Sequence, residues 1–374
     1  MNSQRFIGLM SGTSMDAVDG VIAEFSAHKI QAIASWQLVM PPALRELLLN
    51  LAHSTSVPWQ DLARADHALG QLFAHTVNEL LHAHNLDPRS IAAIGSHGQT
   101  VFHDPNSSSP TSYQLGDPNV IAELTGITTV ADFRRRDIAA AGQGAPLVPA
   151  FHHAAFASSD QSRVIVNIGG MANITVLPDT NLGNVFGFDT GPGNVLMDSW
   201  SQQHLGVSFD ENGKWAAGGT VNQRLLVDLL REPYFSKAPP KSTGRELFKL
   251  TWLQQHLQRH KFASPSEKLA RDIQATLCEL TAVSICDAIK RCAAQTEEVF
   301  LCGGGAYNHH LTARLRALMN VPVRSTAELG IDPQHVEAIA FAWLAKQCME
   351  HQTGNLPKVT GANHSVILGG IYQA

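Results

Sequence analysis

A chain of 374 residues, 44% hydrophobic and only 16% charged, has room for roughly two domains and excludes a disordered protein. A net charge of −5, with Arg134-Arg135-Arg136 as the densest basic run, excludes nucleic acid as the main partner. Five cysteines without a Cys-x-x-Cys pair point to neither a zinc site nor a redox motif, and no run nears the roughly 18 apolar residues of a membrane span. With no leader-like start, the cytoplasm is the expected location.

In chain order, Phe6 to Met10 reads as a buried strand, followed by a turn around Gly12-Thr13-Ser14 and by strands at Val18 to Phe25 and Ile30 to Val39. Helical patterns cover Ala43–Ala52 and Trp59–His84. Ile91 to Gly95 is a short strand, Pro105 to Pro110 a polar loop, and Thr128 to Ala131 a strand. The pattern then restarts. Val164 to Ile168 is a strand, Gly169-Gly170 a turn, and Asn173 to Leu177 and Val185 to Phe188 are strands. Helices follow at Asn194–His204, Val221–Arg231, Glu246–His256 and Glu267–Arg291. Then come a strand at Val299 to Leu301 and helices at Asn308–Met319 and Gln334–Met349, the last with Asp332 as N-cap. Val366 to Leu368 closes the chain as a strand. Each half begins strand, glycine-rich turn, strand, strand, and then alternates helices with strands. The expected class is α/β, a duplicated unit with a cleft between the halves. The expected division is residues 1–135, with 365–374 returning to them, and residues 136–364.

Four segments carry candidate chemistry. Gly8 to Gly20 holds a small, hydroxyl-rich turn whose backbone N–H groups suit phosphate oxygens, with Asp16 or Asp19 to orient metal-bound water. It lacks the Lys of a Walker-type loop, and a plain β-turn fits its composition equally. Gly187 to Asn194 delivers Asp189 to a strand end before a Gly-Pro-Gly turn. A carboxylate there can act as general base or position a metal, or simply cap the turn. Gly303-Gly304-Gly305 after a strand permits close approach to a flat ligand such as adenine. Gly95 to Thr100, Asp132 to Asp137 and Gly142 to Leu147 carry polar groups able to grip a sugar, although His97 alone reads as structural and Arg134 as a surface ion pair. His256 and His260 at i,i+4 lack a third ligand, so they are not read as a metal site. Thr243 to Glu246 reads as a capping box, with Lys241 and Arg245 as cleft candidates.

Together these segments resemble the anhydro-N-acetylmuramic acid kinase family. The resemblance rests on Gly-Leu-Met-Ser-Gly-Thr-Ser-Met-Asp-Ala-Val-Asp from Gly8, Gly-Ser-His-Gly-Gln-Thr from Gly95, Asp-Phe-Arg from Asp132, and Gly-Gln-Gly-Ala-Pro-Leu-Val-Pro from Gly142. It continues with Asn-Ile-Gly-Gly-Met-Ala-Asn from Asn167, Gly-Phe-Asp-Thr-Gly-Pro-Gly-Asn from Gly187 and Cys-Gly-Gly-Gly from Cys302. Two positions depart from the family pattern: Ala17 and Ala141 stand where Gly is expected.

The resemblance implies the two-domain actin/hexokinase-like fold of duplicated ribonuclease-H-like units, with ATP between the domains. It implies ATP contacts at Gly12, Thr13, Ser14, Met15, Asp16, Ala17, Val18, Asp19, Gly169, Gly170, Gly191, Gly303 and Gly304. Mg²⁺ is implied through the ATP phosphates, with Asp16 or Asp19 as its carboxylate. Asp189 is implied as the catalytic base, and His97, Arg134, Asp137, Asn194 and Glu337 as substrate contacts. The implied reaction opens the 1,6-anhydro ring with water and phosphorylates O6, giving N-acetylmuramic acid 6-phosphate in cell-wall recycling, with a homodimer as the implied assembly. The competing expectations are a kinase of another sugar or a small carboxylate, a chaperone-like ATPase, and a sugar-responsive regulator. No segment supplies a peptide-binding domain or a helix-turn-helix for the last two.

Overall fold

The computed structural model describes residues 3–12, 15–26, 29–244, 247–262 and 266–374. Among these the strands are β1 Gln4–Met10, β2 Ala17–Phe25, β3 Ile30–Val39, β4 Ala93–Ser96, β5 Gln99–Asp104, β6 Thr111–Leu115, β7 Thr129–Ala131, β8 Arg163–Ile168, β9 Met171–Leu177, β10 Phe186–Pro192, β11 Glu298–Cys302, β12 Val323–Ser325 and β13 Gly370–Tyr372. The chain forms two compact units, Met1–Ala155 with His335–Ala374, and Phe156–Gln334.

The first unit carries a sheet of order β13-β7-β4-β1-β2-β3. β1, β2 and β3 form an antiparallel meander, β4 runs parallel to β1, and β7 parallel to β4. Ile7, Leu9, Val18 and Ile22 share a core with Leu69, Phe73, Val77 and Leu80 of the helix Trp59–Ala83. The helix Val336–Met349 lies against β1 and β4. It does so because the strands carry glycine where it crosses. A Cβ on Gly8 would collide with the Ala338 carbonyl, and one on Gly95 with that of Phe341.

The second unit repeats the plan with the order β10-β9-β8-β11-β12. β8, β9 and β10 form the meander, β11 runs parallel to β8, and β12 parallel to β11. The helix Glu267–Cys292 is buried over much of its length, with Ile273, Leu277, Leu280 and Ile285 in one core with Val164, Val166 and Ile174. Counted from each meander, the first five strands of each sheet read 3-2-1-4-5 with strand 2 reversed, which is the ribonuclease-H-like order; β13 adds a sixth, antiparallel strand to the first sheet. The restart in the sequence is therefore a duplication of topology.

Several expectations shift. The units divide after Ala155 rather than after residue 135, and the returning segment begins at His335 rather than at 365, because the helix Val336–Met349 covers the first sheet. That helix starts two residues late: Asp332 accepts from the Gln334 N–H (2.9 Å) and from the Tyr307 hydroxyl (2.5 Å), and His335 is the N-cap. Val366 to Leu368 is not a strand. Val366 bonds the 354–355 loop instead, its N–H reaching Asn355 Oδ1 at 2.7 Å, and the closing strand is β13. The polar Pro105–Pro110 stretch is the tip of a β5–β6 hairpin, and Phe133–Ala139 is a short helix. Arg245 and Glu246 of the expected capping box, and the helix start at Glu246, lie outside the described residues. The helix that follows spans Leu250–Arg259.

Candidate functional site

In the first unit, the β1–β2 turn is tied down on both sides. Ser11 Oγ donates to Gln99 Oε1 on β5 (2.8 Å), and the Met40 N–H donates to the Asp16 carbonyl (2.8 Å). Met15 and Val18 bury their side chains in the core, so they offer a ligand only backbone. Met15 adopts φ 56°, a left-handed conformation costly for a residue with a Cβ. The Asp16 carboxylate is exposed and pairs with Arg45 (3.2 Å), and Asp19 accepts from Gln37 Nε2 (2.8 Å). A Cβ at Gly12 would meet nothing within 4 Å, which leaves the turn's backbone approachable there. The expected contacts Thr13 and Ser14 lie outside the described residues. Ala17 opens β2, so the missing glycine costs nothing at that position.

Of the three consecutive arginines, Arg134 turns inward and Arg135 and Arg136 are exposed. Arg134 donates to His97 Nε2 from Nε (3.2 Å) and Nη2 (2.8 Å), and to the Gly144 carbonyl from Nη1 (2.9 Å). A guanidinium has no acceptor, so His97 must be neutral with its proton on Nδ1. His97 is 6% exposed and its ring lies 4.6 Å from that of Phe341. Burial first, and then the Arg134 charge, hold the imidazole well below its ordinary pKa. Desolvation also lowers Arg134, to about 10, against a smaller upward pull from Glu337. A cation whose three hydrogen bonds go to neutral acceptors in a desolvated corner is poised for an anionic or strongly polar ligand.

The Asp137 carboxylate is fully buried and accepts from the Gly144 N–H (2.8 Å), Asn355 Nδ2 (2.7 Å) and Thr360 Oγ1 (2.8 Å). It is a tether that fixes the loop carrying Gly144. Ala141, in that loop, adopts φ 66°, the left-handed conformation for which glycine is expected.

In the second unit three glycine-rich segments meet. The Gly193 N–H donates to the Gly170 carbonyl (2.9 Å), and the Asn194 N–H to that of Gly169 (2.8 Å). A Cβ on Gly303 would strike Asn167 Oδ1 and the Ile168 carbonyl, and Gly303 sits at φ 76°. By contrast, Gly304 has nothing within 4 Å of a Cβ, and Gly169 only the Met171 carbonyl at 3.6 Å. Gly193 and Gly303 are therefore needed for packing, and Gly169 and Gly304 leave bare, approachable backbone. Asn194, expected at the substrate, ties these turns together, its Nδ2 donating to the Ile168 carbonyl (3.2 Å). Thr281, which carries no sequence signal, holds the same turn by donating to the carbonyls of Pro192 and Gly193 (3.0 and 2.9 Å).

Asp189 lies on β10, the edge strand of its sheet, where the register shifts between Asp189 and Gly191. Its Oδ2 accepts from the Thr243 N–H (3.0 Å), its N–H donates to the Lys241 carbonyl (3.2 Å), and its carbonyl accepts from the Tyr234 hydroxyl (2.7 Å). The free edge of β10 is thus covered by residues 241–243. Sequence reading caught Lys241 as a candidate but missed Thr243 and Tyr234 as partners of Asp189. The demoted pair His256 and His260 share one acceptor, Asp228 Oδ2, at 2.7 and 3.3 Å. Among the described residues no group of three or more His, Cys, Asp or Glu side chains could hold a metal ion.

Two ribonuclease-H-like units of one strand order define the fold class as actin- and hexokinase-like. The family model for anhydro-N-acetylmuramic acid kinase matches residues 4–374. Curated relatives of that name include one from Coxiella burnetii, 49% identical over 100% of this chain and 98% of its own, and one from Shewanella pealeana, 50% identical over 100% of both. Among solved structures, component A of (R)-2-hydroxyglutaryl-CoA dehydratase from Acidaminococcus fermentans is 12% identical, with a TM-score of 0.48 over 91% of this chain and 96% of its own. The chain belongs to the anhydro-N-acetylmuramic acid kinase family and is an enzyme, a kinase.

Proposed function

We propose that the protein opens the 1,6-anhydro ring of 1,6-anhydro-N-acetylmuramic acid with water and transfers the γ-phosphoryl group of ATP to O6, giving N-acetylmuramic acid 6-phosphate and ADP. The observation that carries this reading is Asp189, a carboxylate held at a strand edge by backbone N–H, in a chain matched to the family from end to end. Asp189 takes a proton from water as the water oxygen bonds to the anomeric carbon. The bond from that carbon to O6 breaks, and its electron pair passes to O6. O6 then attacks the γ-phosphorus and ADP leaves. Arg134, His97 and Glu337 grip the sugar, and Asp137 and Asn194 act indirectly by fixing the loops. The open backbone at Gly12, Gly169 and Gly304 fits a nucleotide approached by main chain, with Met15 to Asp19 and Gly170, Gly191 and Gly303 shaping its surroundings.

Mg²⁺ fits this donor set. A hard cation that keeps most of its waters needs one or two carboxylates beside the phosphates, and Asp16 or Asp19 would supply one. When bound it offsets negative charge on the phosphates. Cytoplasmic cell-wall recycling and a homodimer complete the reading.

The test is ADP release with the anhydro sugar and ATP in ¹⁸O-water. The expected product carries ¹⁸O at the anomeric carbon. Phosphorylation of plain N-acetylmuramic acid without turnover of the anhydro sugar would overturn the reading.

A further inference from the structure

Three elements converge on Asp189 in the second unit, and the family match assigns none of them a role. The first is the 241–243 segment, which bonds both the backbone and the carboxylate of Asp189. The second is Tyr234, whose hydroxyl reaches the Asp189 carbonyl. The third is Lys241 itself. Its Nζ donates to the carbonyls of Tyr234 (3.1 Å) and Phe235 (3.4 Å), and it lies 4.6 Å from the Tyr234 ring centroid and 5.7 Å from that of Phe188, the residue before Asp189.

We propose that Lys241 is a positioning residue for Asp189: it pins the 241–243 segment along the outer edge of β10 and holds a positive charge within electrostatic reach of the carboxylate. The proposal rests on the reading of Asp189 as the base. The segment itself follows Pro239-Pro240 and belongs to no strand, so its course depends on a few individual ties, main-chain ones to Asp189 and side-chain ones from Lys241. Lys241 provides two of them, and both end on the turn that also presents Tyr234. One residue thereby links the Tyr234 hydroxyl, the Lys241 carbonyl and the Thr243 N–H, all of which bond Asp189. The Lys241 and Asp189 charges act on each other, and the other titratable or charged groups that act on Lys241 are Arg291, Lys237 and Cys292. Arg291 is itself tied to the Phe235 carbonyl (2.7 Å). A fixed cation near a carboxylate favours the ionised form, and only that form can take a proton from water.

Two substitutions separate the charge from the tie. Lys241→Gln keeps an N–H donor for the Tyr234 carbonyl and removes the charge. Lys241→Arg keeps both. The measurement is the pH profile of kcat/KM for the anhydro sugar, with a thermal melt of each variant. The expected result is an acid limb displaced upward by about one pH unit in the Gln variant, so that its deficit is about tenfold on that limb and shrinks toward alkaline pH. The Arg variant should keep the wild-type limb. An unmoved limb in Lys241→Gln, or a rate lowered equally at every pH, would overturn the proposal. Asp189→Asn measured alongside distinguishes the two failures. An inactive Asn variant with an unmoved limb removes only the role of Lys241. An active Asn variant removes the base assignment and the proposal with it.

Discussion

The Arg134 corner of the first unit and the Asp189 edge of the second hold opposite charges by opposite means. Arg134 is a desolvated cation whose hydrogen bonds all go to neutral acceptors, a histidine ring and a backbone carbonyl. Asp189 is a carboxylate met by a backbone N–H, with a lysine charge close by. The first arrangement leaves the positive charge without a hydrogen-bonded anion and only partly offset by Glu337, which suits gripping a ligand. The second holds a carboxylate in place by its main-chain partner, which suits proton abstraction. The loops differ as well. Gly303 takes its positive φ without a Cβ, whereas Ala141 carries one at φ 66°.

The largest effect is expected from breaking the carboxylate side. Asp189→Asn keeps side-chain volume and an oxygen to accept the Thr243 N–H, so the fold and nucleotide binding should survive. Loss of the base should lower kcat by about 10³-fold, within the usual range for general-base removal. Coupled ADP release, with a thermal melt as control, measures it. A near-normal rate would end the base assignment. Breaking the cation side should cost less and appear elsewhere. Arg134→Met should raise KM for the sugar so that kcat/KM falls by about 10²-fold, the size expected for one desolvated, charge-assisted contact. An unchanged KM for sugar would remove Arg134 from the ligand and leave it a structural partner of His97.

The two regions also differ in how far sequence could reveal them. β1, β2, β3, β8 and β9 were legible because each is an apolar run bounded by turn residues, and the strand that delivers Asp189 was legible for the same reason. The restart at Val164 gave the duplication. The helix Val336–Met349 was assigned to the wrong half because an apolar helix does not declare which sheet it covers. That information sits in Gly8 and Gly95, which lie more than 200 positions earlier in the chain. The tether at Asp137 was hidden for a related reason: its partners Asn355 and Thr360 are 218 and 223 positions away, so a held carboxylate looked like a free acid in a polar motif. The hold of 241–243 on Asp189 was hidden because that segment has no periodicity and follows two prolines. Local pattern reports local structure well, whereas loop-to-loop hydrogen bonds leave no trace in it.

The smallest expected effect sharpens the contrast in the loops. Ala141 at φ 66° pays the steric cost of a Cβ in the left-handed region, roughly 1–2 kcal/mol. Glycine would remove that cost but add freedom to the unfolded chain, worth roughly 0.4–1 kcal/mol in the other direction. Ala141→Gly should therefore stabilise the protein by up to about 1.6 kcal/mol. Its loop carries the Gly144 carbonyl that accepts from Arg134, so relief of strain should leave the corner's hydrogen bonds intact. Urea denaturation gives the sign and the kinetics of the sugar give the consequence: a higher midpoint with unchanged KM is expected. A lower midpoint would mean that the 141–144 loop, anchored by Asp137, holds Ala141 without strain, and that Ala141 and Gly303 differ in side chain but not in cost.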